Sequence, residues 1–286
     1  MVSGVPGQRA RTELAAGVGS RFADVRWVAE TGSTNADAMA LARNGEHEGV
    51  VLVADHQRAG RGRAGRTWTA PSGSSLLFSV LLRPPVEVMA LSTMAMAVAA
   101  ADALISVAGV HPRLKWPNDL VWPGDGSAPD RKLAGILAEA DWPTGSTPDA
   151  GPRAPAPRER AAVVVGIGIN VHWPDDLPDD LADIAVACNH LTTTPVDRED
   201  LLVAILRNLD GLYTTLLAGE REPLMAAWTA RSATLGRRVR VQLGRREIEG
   251  TARAVTSDGH LVVDTVAGPE TVSAGDVVHL RPAPPR

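Results

Sequence analysis

Lysine is rare in this chain compared with arginine, and each of the two lysines lies in a segment rich in polar residues. Of the 29 lysine and arginine residues, Lys115 and Lys132 are the two lysines. Arginine replaces lysine wherever a solvated positive charge is enough, but not where a compact ammonium on a flexible stem must reach one point. We therefore treat both lysines as candidates for chemistry, with chance survival in an arginine-rich composition as the alternative.

A run of arginine and glycine follows an apolar strand and could hold an anion. The segment QRAGRGRAGRTW, residues 57–68, contains Gly60, Arg61, Gly62, Arg63, Gly65 and Arg66. Its glycines permit sharp bends that expose backbone N–H groups, while the guanidiniums converge on one space. A solvated loop or a nonspecific nucleic-acid contact could have the same composition. The net charge of -4 and the 3% aromatic content weaken the nucleic-acid alternative.

Two further segments place polar groups beside the lysines. In LKWPNDL, Lys115 precedes a Trp-Pro pair that favours an extended backbone and presents Asn118 and Asp119 at a turn. A plain hairpin turn would use the same residues. In DRKLAGILAE, Lys132 stands just before a buried apolar strand, in which Gly135 leaves space for a close approach. Their occurrence in one chain favours a shared site.

The segment VVVGIGINV, residues 163–171, is a hydrophobic strand interrupted by glycine. Gly166 and Gly168 share one face, and Asn170 ends the strand. Glycines inside a strand mark a bulge or a flat ligand lying on the sheet. An amide such as Asn170 can recognise an adenine edge by donating and accepting at once.

Near the start of the chain, the segment GSTN places Ser33, Thr34 and Asn35 at the N-terminus of a predicted helix. A helix N-terminus favours polar or anionic ligand groups. A plain helix cap explains Ser33 and Thr34 equally well.

Hydrophobic periodicity predicts the elements that position these groups, and up to residue 235 it favours an arrangement of both helices and strands rather than an all-β one. The predicted strands are Val25–Val28, Val50–Ala54, Ser75–Leu82, Arg113–Lys115, Asp119–Trp122, Lys132–Ala140 and Ala162–Ile169, and the helices are Thr34–Arg43, Val88–Val107, Asp197–Leu217 and Pro223–Ser232. Residues 236–286 change to short alternating runs punctuated by Gly and Asp, which is typical of a small β-barrel. We place a domain boundary there.

Two segments carry no periodic pattern. Residues 1–20 are rich in Gly, Ala and Arg and are interpreted as a flexible N-terminal tail. Residues 143–160 are proline-rich and are interpreted as a flexible insert within the domain that spans residues 21–235.

Several other features predict no special chemistry. The apolar stretch Val88–Val110 contains polar residues at helical spacing, so we interpret it as a buried helix of a protein without a membrane span. The acidic segment 175–183 is broken by prolines and is interpreted as a solvated loop. The histidines lack the spacing of a zinc site, and the single cysteine, Cys188, is expected to be buried rather than nucleophilic.

Taken in order, GSTN, QRAGRGRAGRTW, KWPNDL, DRKLAGIL and GIGIN closely resemble the biotin protein ligases, and the resemblance spans residues 24 to about 282. It implies an α+β fold in which a mixed-sheet catalytic domain of the biotin/lipoyl ligase type carries a C-terminal SH3-like β-barrel. It also implies that ATP and biotin, with Mg²⁺, form biotinyl-5′-AMP, and that biotin passes to a lysine of a biotin carboxyl carrier domain of acyl-CoA carboxylase. Longer members carry an N-terminal DNA-binding domain, so the monofunctional form is expected here.

The resemblance also implies roles for individual residues. Lys132 would bridge the biotin carboxylate and the α-phosphate, with Arg63 and Arg66 as its catalytic neighbours. Biotin would contact Ser33, Thr34, Asn35, Gln57, Gly60, Arg61, Arg63, Trp68, Lys132 and Gly135. ATP would contact Arg61, Arg63, Arg66, Trp68, Asn118, Asp119, Lys132 and Asn170, and Asp119 is the candidate Mg²⁺ ligand.

Two alternatives remain. A lipoate or octanoate transfer enzyme would share the architecture, although such enzymes generally lack the pairing of GRGRAGR with KWPND. A nucleic-acid or regulatory binding module would use the arginine loop and the barrel. We expect a cytoplasmic monomer or weak homodimer with no specific DNA binding and no membrane contact.

Overall fold

The computed structural model describes residues 6–17, 21–124, 128–141, 160–244, 246–273 and 275–280. The elements up to residue 230 are α1 (Gln8–Ala15), β1 (Val25–Thr31), α2 (Thr34–Arg43), β2 (Val51–Gln57), β3 (Ser75–Leu82), α3 (Ser92–Ala108), β4 (Arg113–Lys115), β5 (Asp119–Trp122), β6 (Arg131–Asp141), β7 (Ala162–Asn170), α4 (Asp179–Ala182), α5 (Arg198–Leu217) and α6 (Glu222–Ala230). The remaining strands are β8 (Arg238–Leu243), β9 (Arg246–Val255), β10 (Leu261–Thr265), β11 (Gly268–Val272) and β12 (Asp276–His279).

The larger sheet has seven strands in the order β1-β2-β3-β7-β6-β5-β4. Strands β1 and β2 are parallel, and the other neighbouring pairs are antiparallel. The central strands β3 and β7 are buried along their whole length, as expected for apolar runs that are covered on both faces. The predicted mixed sheet is confirmed.

Alternate side chains of the central strands reach two different helical layers. Leu81 of β3 and Val164 of β7 pack against Ala38 of α2, whereas Leu82 and Val165 belong to the main core with α3 and α5. This division follows from the two-residue period of a strand. The face covered by α2 also carries the candidate site.

Helix α3 and the turn before it, residues 86–108, form one apolar segment long enough to cross a bilayer, and most of it is buried inside the fold. Among its buried residues are Met96, Ala100 and Leu104. Burial among protein side chains is what a core helix requires, so the interpretation of this stretch as a buried helix is confirmed.

The smaller sheet is antiparallel, with the strand order β11-β10-β9-β8-β12. It lies against the larger sheet, where the indole N–H of Trp116 donates to the carbonyl of Gly259 at 3.0 Å. Asp130, just before β6, accepts from Arg237 at 2.8 Å and lies 3.0 Å from the His279 Nδ1. The two parts therefore share a polar, largely buried junction, and the predicted combination of an α+β domain with a small β-domain is confirmed.

The prediction of a loose N-terminal tail is wrong for residues 8–15, which form α1. Ala10 and Leu14 lie four positions apart and are buried, and the backbone amides of Gly7 and Ala10 donate to the carboxylate of Glu199 in α5. Tertiary contacts supply what the local sequence lacks. The proline-rich insert predicted at 143–160 lies outside the described residues, apart from Arg160.

Candidate active site

The arginine and glycine run forms a β-hairpin after β2, which we call the arginine hairpin (residues 58–68). Backbone hydrogen bonds pair residues 60–62 with residues 66–68. The tip turns through Ala64 and Gly65, whose φ angles of 54° and 73° are left-handed, a region that glycine adopts without steric cost. A closed turn of this kind presents the arginines from an ordered backbone rather than from a loose loop.

Trp68, at the end of the hairpin, lies flat on two glycines of the sheet. A Cβ atom on Gly168 would be 2.7 Å from Cε2 of the indole, and one on Gly135 would be 3.0 Å from Cζ3. Such distances are too short for a carbon–carbon contact, so both positions need glycine. The indole Nε1 is buried, and no described residue accepts its hydrogen bond.

These contacts correct the interpretation of GIGIN. The flat group over Gly168 is the indole of Trp68, and the group over Gly166 is the amide of Asn35, whose Oδ1 would lie 1.9 Å from an added Cβ. The glycines therefore admit the protein's own side chains, which in turn form the wall of the cavity.

Lys132 reaches the same face because of a β-bulge. The pairing of β5 with β6 shifts register between Leu120 and Val121, whose partners are Ala134 and Lys132. A bulge adds one residue to a strand and redirects the side chains before it. Leu133 and Ala134 both enter the core, while Nζ of Lys132 lies next to Gly135, 2.9 Å from where a Cβ would be.

The Lys132 ammonium has two partners in the site. Its Nζ is 2.7 Å from Oδ1 of Asp119, in an ion pair whose side chains are 36% and 24% exposed. It also lies 5.4 Å from the centroid of the Trp68 ring, within the range of a cation–π contact. The ammonium is thus held at one point, as expected of a residue that arginine does not replace.

The three arginines of the hairpin differ in their partners. Arg61 pairs with Glu139 at 3.0 Å, and Arg66 pairs with Asp276 of β12 at 3.0 Å. Arg63 donates to Oδ1 of Asn118 at 3.3 Å, and in the described part of the chain no carboxylate lies within ion-pair distance of it. Burial lowers the pKa of Arg63. A half-buried guanidinium without a counter-ion favours an anionic ligand.

One end of the cavity is formed by the start of α2. The Thr34 amide donates to Oε1 of Gln57 at 2.8 Å, and the Thr34 hydroxyl lies 3.0 Å from the same atom and 2.7 Å from Oγ of Ser79. Ser33 occupies the N-cap position, but its side chain makes no capping hydrogen bond. The plain-cap alternative is therefore not supported for either residue.

Asn170 lies at the opposite end. Its Nδ2 donates to the carbonyls of Val186 and Lys132 at 3.0 and 3.4 Å, and its buried Oδ1 has no hydrogen-bond partner among the described residues. The backbone therefore already uses the donor of this amide, and the expectation that Asn170 contacts adenine stays a prediction. Among the described residues, the buried acceptor is the part of this amide that is left without a partner.

The acidic segment closes this end of the cavity. Residues 184–186 pair with the backbone of Lys132, whose amide donates to the Ile184 carbonyl at 2.7 Å and whose carbonyl accepts from Val186 at 3.0 Å. Pro178, Leu181 and Ile184 line the cavity wall. The segment is therefore less of a free loop than predicted, because a four-residue helix and these backbone bonds hold it against β6.

The cavity has a volume of about 550 Å³, which is sufficient for a small organic ligand. It brings together most of the residues that the sequence singled out. The predicted residues in its wall are Ser33, Thr34, Asn35, Gln57, Arg61, Arg63, Arg66, Trp68, Asn118, Lys132, Gly135 and Asn170.

Some of the singled-out residues lie outside this wall, among them Gly60, Asp119 and Lys115. Gly60 supports the hairpin, since a Cβ there would be 2.3 Å from the Trp68 carbonyl oxygen. Asp119 does not line the wall but forms an ion pair with Lys132, which does. Lys115 pairs with Asp119 in the β4–β5 register, and burial lowers its pKa.

Sequence reasoning missed two side chains that connect parts of the site. Glu139 accepts hydrogen bonds from Arg61 and Asn35, and Ser79 donates to Oδ1 of Asn35 at 2.6 Å. The alternation of Gly135, Leu137 and Glu139 along one face of β6 is a signal that could have identified Glu139. Ser79 lies inside an apolar run and gives no comparable signal.

Neither a metal-ligand cluster nor an exposed thiol occurs in the described part of the chain. Within the described ranges, no group of three or more His, Cys, Asp or Glu residues is arranged to hold a metal ion. Cys188 is buried, and burial raises the pKa of its thiol to about 12. The expectation that Cys188 is buried is confirmed, and such a thiol is a poor nucleophile at neutral pH.

Comparison with known proteins identifies relatives over the whole fold. The profile of the "Biotin/lipoate A/B protein ligase family" matches residues 30–144, and that of the "Biotin protein ligase C terminal domain" matches residues 234–280. The biotin–acetyl-CoA-carboxylase ligase of Mycobacterium tuberculosis is 36% identical over 282 residues, which is 96% of each chain. That of Paracoccus denitrificans is 32% identical and covers 87% of this chain and 98% of its own.

A solved structure of a biotin protein ligase has a similar fold. The biotin protein ligase from Aquifex aeolicus in complex with biotin and ATP superposes with a TM-score of 0.71 and 25% identity, covering 91% of this chain and 100% of that one. The two matching profiles, the near full-length relative and the shared fold confirm the resemblance inferred from the motifs. The chain belongs to the biotin protein ligase family.

Proposed function

We propose that this protein joins biotin to ATP, forming biotinyl-5′-AMP and pyrophosphate, and then transfers the biotinyl group to a lysine of a biotin carboxyl carrier domain of acyl-CoA carboxylase. The observation that carries this proposal is the convergence of Arg63 and Lys132 on one cavity. Arg63 enters it half-buried and without a carboxylate partner among the described residues, so the cavity favours anions.

The first half-reaction requires two anions to meet. A carboxylate oxygen of biotin attacks the α-phosphorus of ATP, a new P–O bond forms, and the bond to the bridging oxygen breaks as pyrophosphate leaves. Negative charge accumulates between the reactants in the transition state, and fixed positive groups there lower the barrier. Lys132 is the group placed to bridge carboxylate and α-phosphate, with Arg63 and Arg66 supplying further positive charge.

Asp119 and Asn118 orient these cations. Asp119 pairs with the Lys132 ammonium, and Asn118 accepts from Arg63 while its Nδ2 donates to the Ile136 carbonyl at 2.6 Å. Both side chains are therefore engaged by the protein before nucleotide binds. Their arrangement holds the positive charges in place, so little reorganisation is needed during the reaction.

Magnesium, if taken up with the nucleotide, would use Asp119 as its protein carboxylate. The described residues offer no ligand set for a metal on its own, which agrees with the tendency of Mg²⁺ to bind through one or two carboxylates together with phosphates. The ion would neutralise phosphate charge.

The two ends of the cavity suit the two substrates. Thr34 and Gln57 provide hydroxyl, amide donor and acceptor groups next to the Trp68 indole, as the ureido ring of biotin requires, with Ser33, Asn35 and Gly135 around them. Oδ1 of Asn170, which has no hydrogen-bond partner among the described residues, would accept from the amino group of adenine, and Leu181 and Ile184 would provide apolar cover.

In the second half-reaction, the neutral amine of the acceptor lysine attacks the acyl carbon, an amide bond forms, and AMP leaves. The mixed anhydride is hydrolysed by water, so it must remain enclosed until the carrier arrives. The arginine hairpin, with Arg61 and Arg63 in the cavity wall, is placed to enclose it. We further propose a cytoplasmic monomer or weak homodimer without specific DNA binding.

Exchange of labelled pyrophosphate into ATP tests this function. We expect exchange that requires biotin and is not supported by lipoate or octanoate, followed by labelling of one lysine in a purified carrier domain. Exchange supported by lipoate or octanoate instead of biotin would favour the acyl-transfer alternative. Tight, salt-dependent DNA binding in the absence of biotin would favour the regulatory alternative.

A further inference from the structure

Glu139 stands where the arginine hairpin meets the pocket formed by α2. Its Oε1 pairs with Arg61 NH2 at 3.0 Å, and its Oε2 accepts from Arg61 NH1 at 3.3 Å and from Asn35 Nδ2 at 3.0 Å. The Glu139 side chain is 25% exposed, whereas that of Arg61 is 52% exposed. The carboxylate is thus the inner, less exposed partner, and the hairpin guanidinium is the outer one.

Asn35 extends this contact into the fold. Its Nδ2 donates to the Leu137 carbonyl at 3.1 Å and to Glu139, and its Oδ1 accepts from Ser79 Oγ at 2.6 Å. Asn35 and Ser79 are 5% and 0% exposed. A Cβ on Gly166 would occupy the position of the Asn35 amide. The amide is therefore fixed in a buried slot, where hydrogen bonds are costly to break.

The chain of hydrogen bonds ends at the biotin pocket. Because Ser79 uses its proton on Asn35, the single Thr34 hydroxyl proton must serve either Ser79 at 2.7 Å or Gln57 at 3.0 Å. Two acceptors compete for one donor, so a ligand that binds Gln57 changes which bond the Thr34 hydroxyl makes. A continuous polar path then runs from Gln57 through Thr34, Ser79, Asn35 and Glu139 to Arg61.

We propose that Glu139 is a positioning residue that holds the arginine hairpin over the cavity through Arg61 and couples its closure to occupancy of the Thr34–Gln57 pocket. That the occupant is biotin rests on the function proposed above. The claim that Glu139 holds the hairpin over the cavity in the absence of ligand does not depend on that function.

Trypsin cleavage of the intact protein tests the positioning role directly, because hairpin opening exposes the bonds after Arg63 and Arg66. In Glu139→Gln, the carboxamide lacks the charge that pairs with Arg61, and its NH2 group must face one of two donors. We expect hairpin cleavage without ligand to become about fivefold faster than in the wild type. In Arg61→Gln, which breaks the same pair from the exposed side, cleavage should rise similarly, and the double variant should add little.

Asp141→Asn is the matched control, since Asp141 lies two residues farther along β6 and pairs with Arg43 of α2 at 3.3 Å. It should leave hairpin cleavage unchanged. Biotin alone should slow hairpin cleavage in the wild type, and it should slow it less in Glu139→Gln. In pyrophosphate exchange, the factor by which Glu139→Gln raises the KM for biotin should exceed the factor by which it lowers kcat by about fivefold.

Equal hairpin cleavage in the wild type, Glu139→Gln and Arg61→Gln would overturn the proposal. If the ligand-free difference is present but biotin neither protects the hairpin nor supports exchange, the positioning role stands and the proposed biotin function fails. Thermal melting of each variant measures global unfolding. If only the hairpin opens, the melting temperature and the rate of cleavage in the barrel and in α5 should stay constant.

Discussion

The indole of Trp68 rests on the backbone of Gly168, where an added Cβ would lie 2.7 Å from Cε2. The indole therefore meets the central strand β7 with no side chain of β7 between them. Gly168→Ala would force the indole off the sheet and deform the cavity wall. We predict a loss of biotin affinity of about tenfold or more, measured by calorimetry.

The control for that variant is Gly211→Ala. Gly211 lies in α5 on the other face of the sheet, and no atom would lie within 4 Å of its new Cβ. Alanine favours a helix over glycine by about 1 kcal/mol, so the control should be slightly more stable and bind biotin as the wild type does. Unchanged affinity in Gly168→Ala would show that the Trp68 contact does not shape the site.

Lys132→Met tests the central cation. Methionine keeps most of the stem but removes the ammonium and leaves Asp119 without its partner. We predict that adenylate formation falls by about a hundredfold or more, while the circular dichroism spectrum stays native. Lys132→Arg should recover only part of the loss, because a planar fork does not place its charge at the same point. Normal turnover in Lys132→Met would rule out the assigned role.

Arg63→Gly should loosen the retention of the intermediate. It removes a half-buried guanidinium from the wall, so biotinyl-5′-AMP should escape and label lysines of an unrelated protein about tenfold more than the wild type does. Arg58→Gly is the matched control, since Arg58 lies at the base of the same hairpin and pairs with Glu30 at 3.4 Å. Equal labelling by both variants would contradict the enclosing role of Arg63.

The junction between the two sheets should make stability depend on pH. Burial and the Lys115 charge lower the pKa of His279 from 6.5 to about 4, against the opposing effect of Asp130. The folded state thus binds fewer protons than the unfolded state between those values, so stability falls as pH decreases through this window. The loss between about pH 8 and about pH 5 should be about 2 kcal/mol.

Urea unfolding of His279→Asn measures this contribution. Asparagine can still donate to Asp130 in the position of Nδ1 but does not titrate, so the variant should lose most of the pH dependence in that window. His111→Asn, at an exposed histidine, should keep it. A wild-type slope retained in His279→Asn would assign the pH dependence to other groups.

Much of the fold could be predicted because the local signals agree with the tertiary structure. Strands β2, β3 and β7 follow apolar runs, and Gly109 ends α3 in a left-handed conformation. Helix α1 was missed because its two buried residues, Ala10 and Leu14, form too short a pattern, and its stability depends on α5, nearly two hundred residues away.

The sequence predicted which residues line the site, but it did not predict how those residues contact one another. The types and spacing of Lys132, Arg63 and Gln57 indicated the residues that line the cavity. The bulge that redirects Lys132 depends on strand register, which one strand's sequence does not encode. The link from Glu139 to Asn35 joins residues 104 positions apart, and only the folded sheet brings them together.

The most direct test of the account is a single-turnover reaction of the purified protein with biotin, ATP and Mg²⁺, quenched and analysed by mass spectrometry. We predict equal amounts of biotinyl-5′-AMP and pyrophosphate from the wild type, and a rate reduced by about a hundredfold or more in Lys132→Met. No biotin-dependent consumption of ATP by the wild type, or an equal rate in Lys132→Met, would contradict the central claim.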